Sequence, residues 1–218
     1  MATILDSFKF EKIEVVKATT SNLKGYGLLV GNNYKNFPIE IVTWPQQGWR
    51  KIDTETGNEG GTTEGLFEFE WKGDVLYGVN NAVVDVTDYN KEGAYLLGWS
   101  CDPNSANRKK QSASREQLYM WHANYHPDGG QLFYPIDNKP FISPLALPGD
   151  NITIECFKAF YFDGSQGLYI HPNIWHEGVF PLNEKATFFD KQGKVHARVS
   201  CDFAKEFNSY LSFSLKEL

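Results

Sequence analysis

At 218 residues, 41% of them hydrophobic and 15% aromatic, the chain is long enough to bury a substantial core, and its net charge of −6 argues against a nucleic-acid partner. No apolar run approaches the roughly 20 residues a membrane helix needs, and the N-terminal Met-Ala-Thr-Ile-Leu-Asp-Ser-Phe-Lys-Phe contains no leader-like apolar stretch. Three widely spaced cysteines (Cys101, Cys156, Cys201) with no C-x-x-C pair read as free thiols, so a reduced, cytoplasmic setting is expected.

Residues 8–17 alternate loosely and end in β-branched side chains, which predicts a first strand. Ala18 to Lys24 reads as a short helix opened by Thr19, Thr20 or Ser21 and stopped by Gly25. Short strands are then expected over 25–31 and over Ile39–Trp44, the latter ended by Pro45. Residues 54–64 are Gly, Thr, Glu and Asn without apolar content and read as a loop. From Gly65 the signal sharpens: Phe67, Phe69 and Trp71 alternate, Lys72-Gly73-Asp74 turns, and Val75 and Tyr77 continue, giving a hairpin with one aromatic face. Strands follow at Ala82–Val86 and Ala94–Trp99. The polar segment 102–115 reads as a solvated loop, or as an arm carrying Arg108, Lys109 or Arg115 over an anionic substrate. Phe180–Phe189 and Val195–Cys201 complete the strand series. The alternating tail Phe207, Tyr210, Leu211, Phe213 and Leu215 must pack on something. No repeat or linker divides residues 1–218, so one mostly β domain with few short helices is expected.

Four of the five histidines fall in two short runs, Trp121–Gln131 and Tyr169–His176. In the first, His122, Asn124 and His126 are spaced by two and share one strand face, with Pro127–Gly130 turning the chain and Gln131 beginning the return. The second, His171-Pro172-Asn173-Ile174-Trp175-His176, turns at Pro-Asn and leads into a strand. Imidazoles with an amide oxygen suit a divalent transition metal such as Ni, Zn, Mn or Fe, which makes His122, Asn124, His126, His171 and His176 the candidate ligands. The same imidazoles equally suit acid–base work near neutral pH. His196 stands apart and reads as structural.

Tyr125-His-Pro-Asp-Gly-Gly-Gln-Leu-Phe-Tyr-Pro135 and Gly167-Leu-Tyr-Ile-His-Pro-Asn-Ile-Trp-His176 resemble the two signatures of the ureidoglycolate lyase family, within a similarity spanning about residues 119–203. Phe157–Phe160 and Ser200-Cys201-Asp202 also resemble family segments. The resemblance implies a cupin-like β-barrel, usually a homodimer, that cleaves (S)-ureidoglycolate to glyoxylate and urea in allantoin breakdown. His126, Gln131, Tyr169, Trp175 and His176 match its motif. Where the family often has a carboxylate two residues before its first histidine, this chain has Asn124, and the segment from about Pro103 to Ser114 is atypical of it. The expected assignment is His126 or His176 as base, with Gln131 steadying an oxygen. Tyr169 and Trp175 line the substrate, and Arg115 or Arg198 clamps its carboxylate. The alternatives are another metal-dependent cupin enzyme acting on a small carboxylate (a lyase, isomerase or dioxygenase) and a non-catalytic ligand-binding cupin.

Overall fold

A computed structural model describes residues 2–57, 59–80, 94–216 and 218; the expected strand at Ala82–Val86 lies outside them. In chain order the strands are β1 (Phe10–Lys12), β2 (Val15–Lys17), β3 (Gly27–Val30), β4 (Glu59–Lys72), β5 (Val75–Asn80), β6 (Ala94–Trp99), β7 (Gln117–Met120) and β8 (His122–Tyr125). They continue with β9 (Gln131–Pro135), β10 (Phe141–Leu145), β11 (Lys158–Phe162), β12 (Gly167–Ile170), β13 (Phe180–Pro181), β14 (Lys185–Val195) and β15 (Val199–Asp202). A helix α1 (Phe203–Phe207) and the strand β16 (Tyr210–Ser214) end the series.

Ten strands form one sheet in the order β1-β16-β7-β6-β5-β4-β14-β9-β12-β3; β13-β10-β11-β2 form a second, and β15-β8 a third. The expected mostly β class is therefore right. Among the described residues the sheets stay open, a cupin-like sandwich and not the closed barrel the resemblance implied. Aromatic rings bridge its layers: Phe141 of β10 lies edge-on to Phe188 of β14 at 5.0 Å, and Phe180 of β13 to Phe213 of β16 at 5.3 Å. These four side chains are fully buried, each worth roughly 1.5–3 kcal/mol by removal from water.

The hairpin is as the alternation predicts. Phe67, Phe69 and Trp71 are buried on one face of β4, and Gly73 takes the left-handed turn position at φ 57°. Four expectations need correction. The segment read as a loop over 54–64 joins β4 at Glu59, because pairing with β14 extends from Lys185↔Glu70 to Val195↔Glu59 and overrides the weak β-propensity of Gly and Glu. Residues 20–26 form turns, not the helix expected over Ala18–Lys24; Leu23 N–H donates to Thr19 O at 3.0 Å, but Gly25 (φ 89°) stops the run before a helical nucleus can propagate. The strand expected over Ile39–Trp44 shrinks to one bridge, Ile41↔Gly129, and Trp44 turns out at φ 55°. The first strand divides, because β1 pairs in parallel with β16 while β2 crosses to pair in parallel with β11.

The 102–115 segment is not an arm over the site. Buried Asp74, at the β4–β5 turn, accepts hydrogen bonds from Asn107 N and Lys110 Nζ, both 3.1 Å. Arg115 lies 5.3 Å over the Trp71 ring and donates to Gly73 O. Asp74→Ala strands those donors and is expected to cost about 1–3 kcal/mol, with faster trypsin cleavage at Arg108, Lys109 and Lys110 as the measurement.

Candidate functional site

The two histidine runs meet through backbone pairing. Asn124 and His176 exchange N–H···O bonds of 2.7 and 2.8 Å, and Asn173 N–H donates to His126 O at 2.9 Å. The Pro127–Gly130 turn does not make a hairpin: β8 pairs with β15, whereas β9 pairs with β12 and β14, so the turn carries the chain from one sheet to another. Gly130 is needed there, since an added Cβ would sit 2.2 Å from Tyr169 Oη. The crossing still returns Gln131 to the same hollow.

That hollow is a cavity of about 610 Å³ whose wall includes His122, Asn124, His126, Gln131, His176 and Arg198, all anticipated from the sequence. Its volume is in the range of small-molecule sites. Phe67, Tyr95, Trp121 and Phe133 supply apolar wall, and Glu177, Gln192 and His196 add polar groups that the sequence reading missed.

Four expected site residues lie elsewhere. On β12, Leu168 and Ile170 pair with Phe133 and Gln131, so Tyr169 between them points to the opposite face with Leu132. There its hydroxyl donates to Glu40 Oε2 at 2.8 Å, and His171 Nδ1 bonds the same oxygen at 2.7 Å. Trp175 faces away from its neighbour His176 into the core, fully buried, with Nε1 donating to Gly149 O at 2.9 Å. Arg115 is held at Gly73, leaving Arg198 as the one lysine or arginine among the described lining residues. Arg198 Nε is paired with Asp53 Oδ2 at 2.7 Å.

The imidazoles differ in environment. His122 Nδ1 lies 2.5 Å from Glu177 Oε2, while Glu177 Oε1 accepts from Gly178 N at 3.0 Å. His126 Nδ1 donates to Ala197 O at 3.0 Å and His176 Nδ1 to Ile174 O at 2.7 Å. Burial, reinforced by the neighbouring imidazoles His196 and His176, holds His126 well below the usual histidine range. Burial likewise lowers His176 to about 4, and also lowers His196. His196 is thus part of the site and not merely structural: its ring is 3.8 Å from that of His126. Asp128 fixes this corner, with Oδ2 accepting from Ala197 N at 2.7 Å.

Behind the wall, buried Asp190 accepts from Gln131 Nε2 at 2.8 Å, and Gln131 Oε1 stands 3.2 Å from His176 Nε2. Burial raises the Asp190 carboxyl to about 7, the Gln131 bond opposing it. The sequence did carry a signal for Asp190: period-two alternation puts it on the apolar face with Ala186 and Phe188. Asn124 Oδ1 is buried and accepts no hydrogen bond among the described residues, so it is a vacant acceptor on the wall.

The five-ligand metal set is not assembled, since His171 is on another face of the sheet. Among the described residues no three His, Cys, Asp or Glu side chains converge as a metal ion requires. Among the described residues the donor set does not fit a metal.

A family model described as ureidoglycolate lyase matches residues 82–206. The chain is 34% identical over 79 residues to the ureidoglycolate lyase of Pseudomonas savastanoi pv. phaseolicola, covering 35% of this chain and 45% of that protein. It is 34% identical over 85 residues to that of Pseudomonas fluorescens, covering 37% and 49%. With the ureidoglycolate lyase of Escherichia coli strain K12 it shares 28% identity over 113 residues, 52% of this chain and 69% of the relative. The alignment thus spans about half the length of the first of these curated relatives.

Proposed function

This chain belongs to the ureidoglycolate lyase family, and on that premise we propose that it cleaves (S)-ureidoglycolate to glyoxylate and urea, with the chemistry at the cavity wall. The observation that carries the reading is the His122–Glu177 pair on that wall. A carboxylate on Nδ1 fixes the tautomer with the proton there, leaving Nε2 as a base and stabilising the imidazolium that forms. His126 and His176, the bases expected from the sequence, are also on the wall. Their depressed affinity for protons makes them poor bases, so they serve as neutral hydrogen-bonding partners.

In the proposed step His122 Nε2 takes the hydroxyl proton of the substrate. The C–O bond becomes C=O as the bond from that carbon to the ureido nitrogen breaks. The electron pair goes to nitrogen, which takes the proton back from His122 as urea leaves. Atoms and charge balance, and the enzyme returns to its starting protonation. Asn124 Oδ1 accepts a ureido N–H, filling its vacancy; Gln131 holds a substrate oxygen. Arg198 faces the carboxylate with the guanidinium nitrogens that Asp53 does not occupy. The reading includes a homodimer and a cytosolic location. No helix among the described residues is long and apolar enough to cross a membrane.

The test is release of glyoxylate and urea in equal amounts from (S)-ureidoglycolate by the purified chain. Asn124→Ala is expected to raise KM roughly tenfold, the worth of one hydrogen bond to a buried acceptor. Absence of glyoxylate release ends the proposal; release with an unchanged KM in the variant removes Asn124 from it.

A further inference from the structure

The hydrogen bonds at the back of the cavity leave one proton to be placed. His176 Nδ1 faces a carbonyl oxygen, which only accepts, so Nδ1 carries a hydrogen. In a neutral ring Nε2 is then an acceptor, yet its neighbour at 3.2 Å is the amide oxygen of Gln131, another acceptor. The other end of that amide meets Asp190 Oδ1 at 2.8 Å. A half-turn of the amide exchanges its oxygen and nitrogen in place, so two arrangements satisfy every bond. In one, an ionised Asp190 accepts from the Gln131 nitrogen, and a positively charged His176 donates to its oxygen. In the other, an uncharged Asp190 donates to the oxygen, and the nitrogen donates to a neutral His176. Both hold the same single proton between the carboxyl and the imidazole.

We infer that Asp190 is held as an uncharged carboxylic acid whose proton fixes the Gln131 amide with its nitrogen toward His176. Asp190 is only 3% exposed and His176 likewise 3%, so two separated charges there would lose their hydration without touching each other. Among the described residues no cation is set against an ionised Asp190. Across the sheet it faces Gly65 of β4 and Phe133 of β9, and the flanking positions on that face are Phe67, Thr63, Phe188 and Gln192. Asp190 in turn helps to hold the Tyr95 phenol of β6 protonated, and a phenol supplies no positive charge. The proton affinities run the same way: the carboxyl, at about 7, outranks the imidazole, at about 4, reversing their ordinary order.

This deepens the proposed function and rests on it in one respect. With its nitrogen turned to His176, Gln131 has a second N–H free for a substrate oxygen, and ionising Asp190 withdraws it by drawing the amide nitrogen back. Asp190 is therefore a positioning residue acting through Gln131. The primary measurement needs no substrate. An infrared difference spectrum between about pH 5.5 and pH 8.5 is expected to show a protonated carboxyl C=O band at the lower pH that Asp190→Asn removes. Nitrogen NMR on the unaltered protein at about pH 6 is expected to show His176 protonated at Nδ1 and bare at Nε2, which covers a variant that fails to fold. Absence of the band, or an imidazolium signal for His176, overturns the inference. In turnover, the wild-type rate is expected to fall roughly fivefold between pH 7 and pH 8, whereas Asp190→Asn, which donates at every pH, follows a flat line there. A band without glyoxylate release leaves the proton assignment standing and sinks the lyase reading; release without the band does the reverse.

Discussion

Glu177→Gln is expected to lower kcat for glyoxylate release by about 10²–10⁴, with KM changed little. The reason is the direction of two hydrogen bonds. Glu177 Oε1 accepts from Gly178 N, so a glutamine must keep its oxygen there and turn its NH₂ toward His122 Nδ1. An amide donor at Nδ1 forces the proton of a neutral imidazole onto Nε2, where the base's lone pair should be. His122→Ala removes the base itself and should cost at least as much. Stopped assays of glyoxylate across a range of substrate concentrations separate kcat from KM. Wild-type kcat in both variants would return the base to His126 or His176, on the same wall.

The second large effect is on stability. His126, His176 and His196 all have proton affinities below that of a free imidazole, chiefly because they are buried. A histidine with a lowered folded value binds its proton in the unfolded chain first, so acidification favours unfolding. The contribution is intact above the unfolded value near 6.5 and is lost as pH falls toward the folded one. For His176, lowered to about 4, the loss across that window is on the order of 3 kcal/mol, and the other two add to it. Asp190 works in the opposite sense, because its raised affinity favours the folded state at low pH and is lost as pH rises toward 7. Urea unfolding at about pH 7 and pH 4.5 is the measurement. His176→Gln is expected to be less stable at both, but to lose roughly 2.5 kcal/mol less between them; an equal loss in both proteins would show that His176 does not bind protons in that range.

Where one physical pattern governed a segment, the sequence was legible. The alternation of Phe67, Phe69 and Trp71 gave the hairpin and its buried face, and the two-residue spacing of His122, Asn124 and His126 gave one wall of the site. A motif match does not say which way a side chain faces, so Tyr169 and Trp175, which the resemblance puts in the site, point away from it. Glu177 and His196 lie outside regular strands, where no period applies, and only the fold brings them to His122 and His126. The strand at 59–64 was hidden because its composition is that of a loop and its order comes from β14.

The large sheet ends in strands of three and four residues, β1 and β3. A row of unsatisfied backbone N–H and C=O groups is a template on which foreign chains can add, and its danger grows with length and apolar content. Behind β1 lies β16, Tyr-Leu-Ser-Phe-Ser, fully capable of such templating if bared. A three-residue rung bearing Glu11 and Lys12 thus occupies the backbone groups of β16 that would otherwise stand open at the sheet edge.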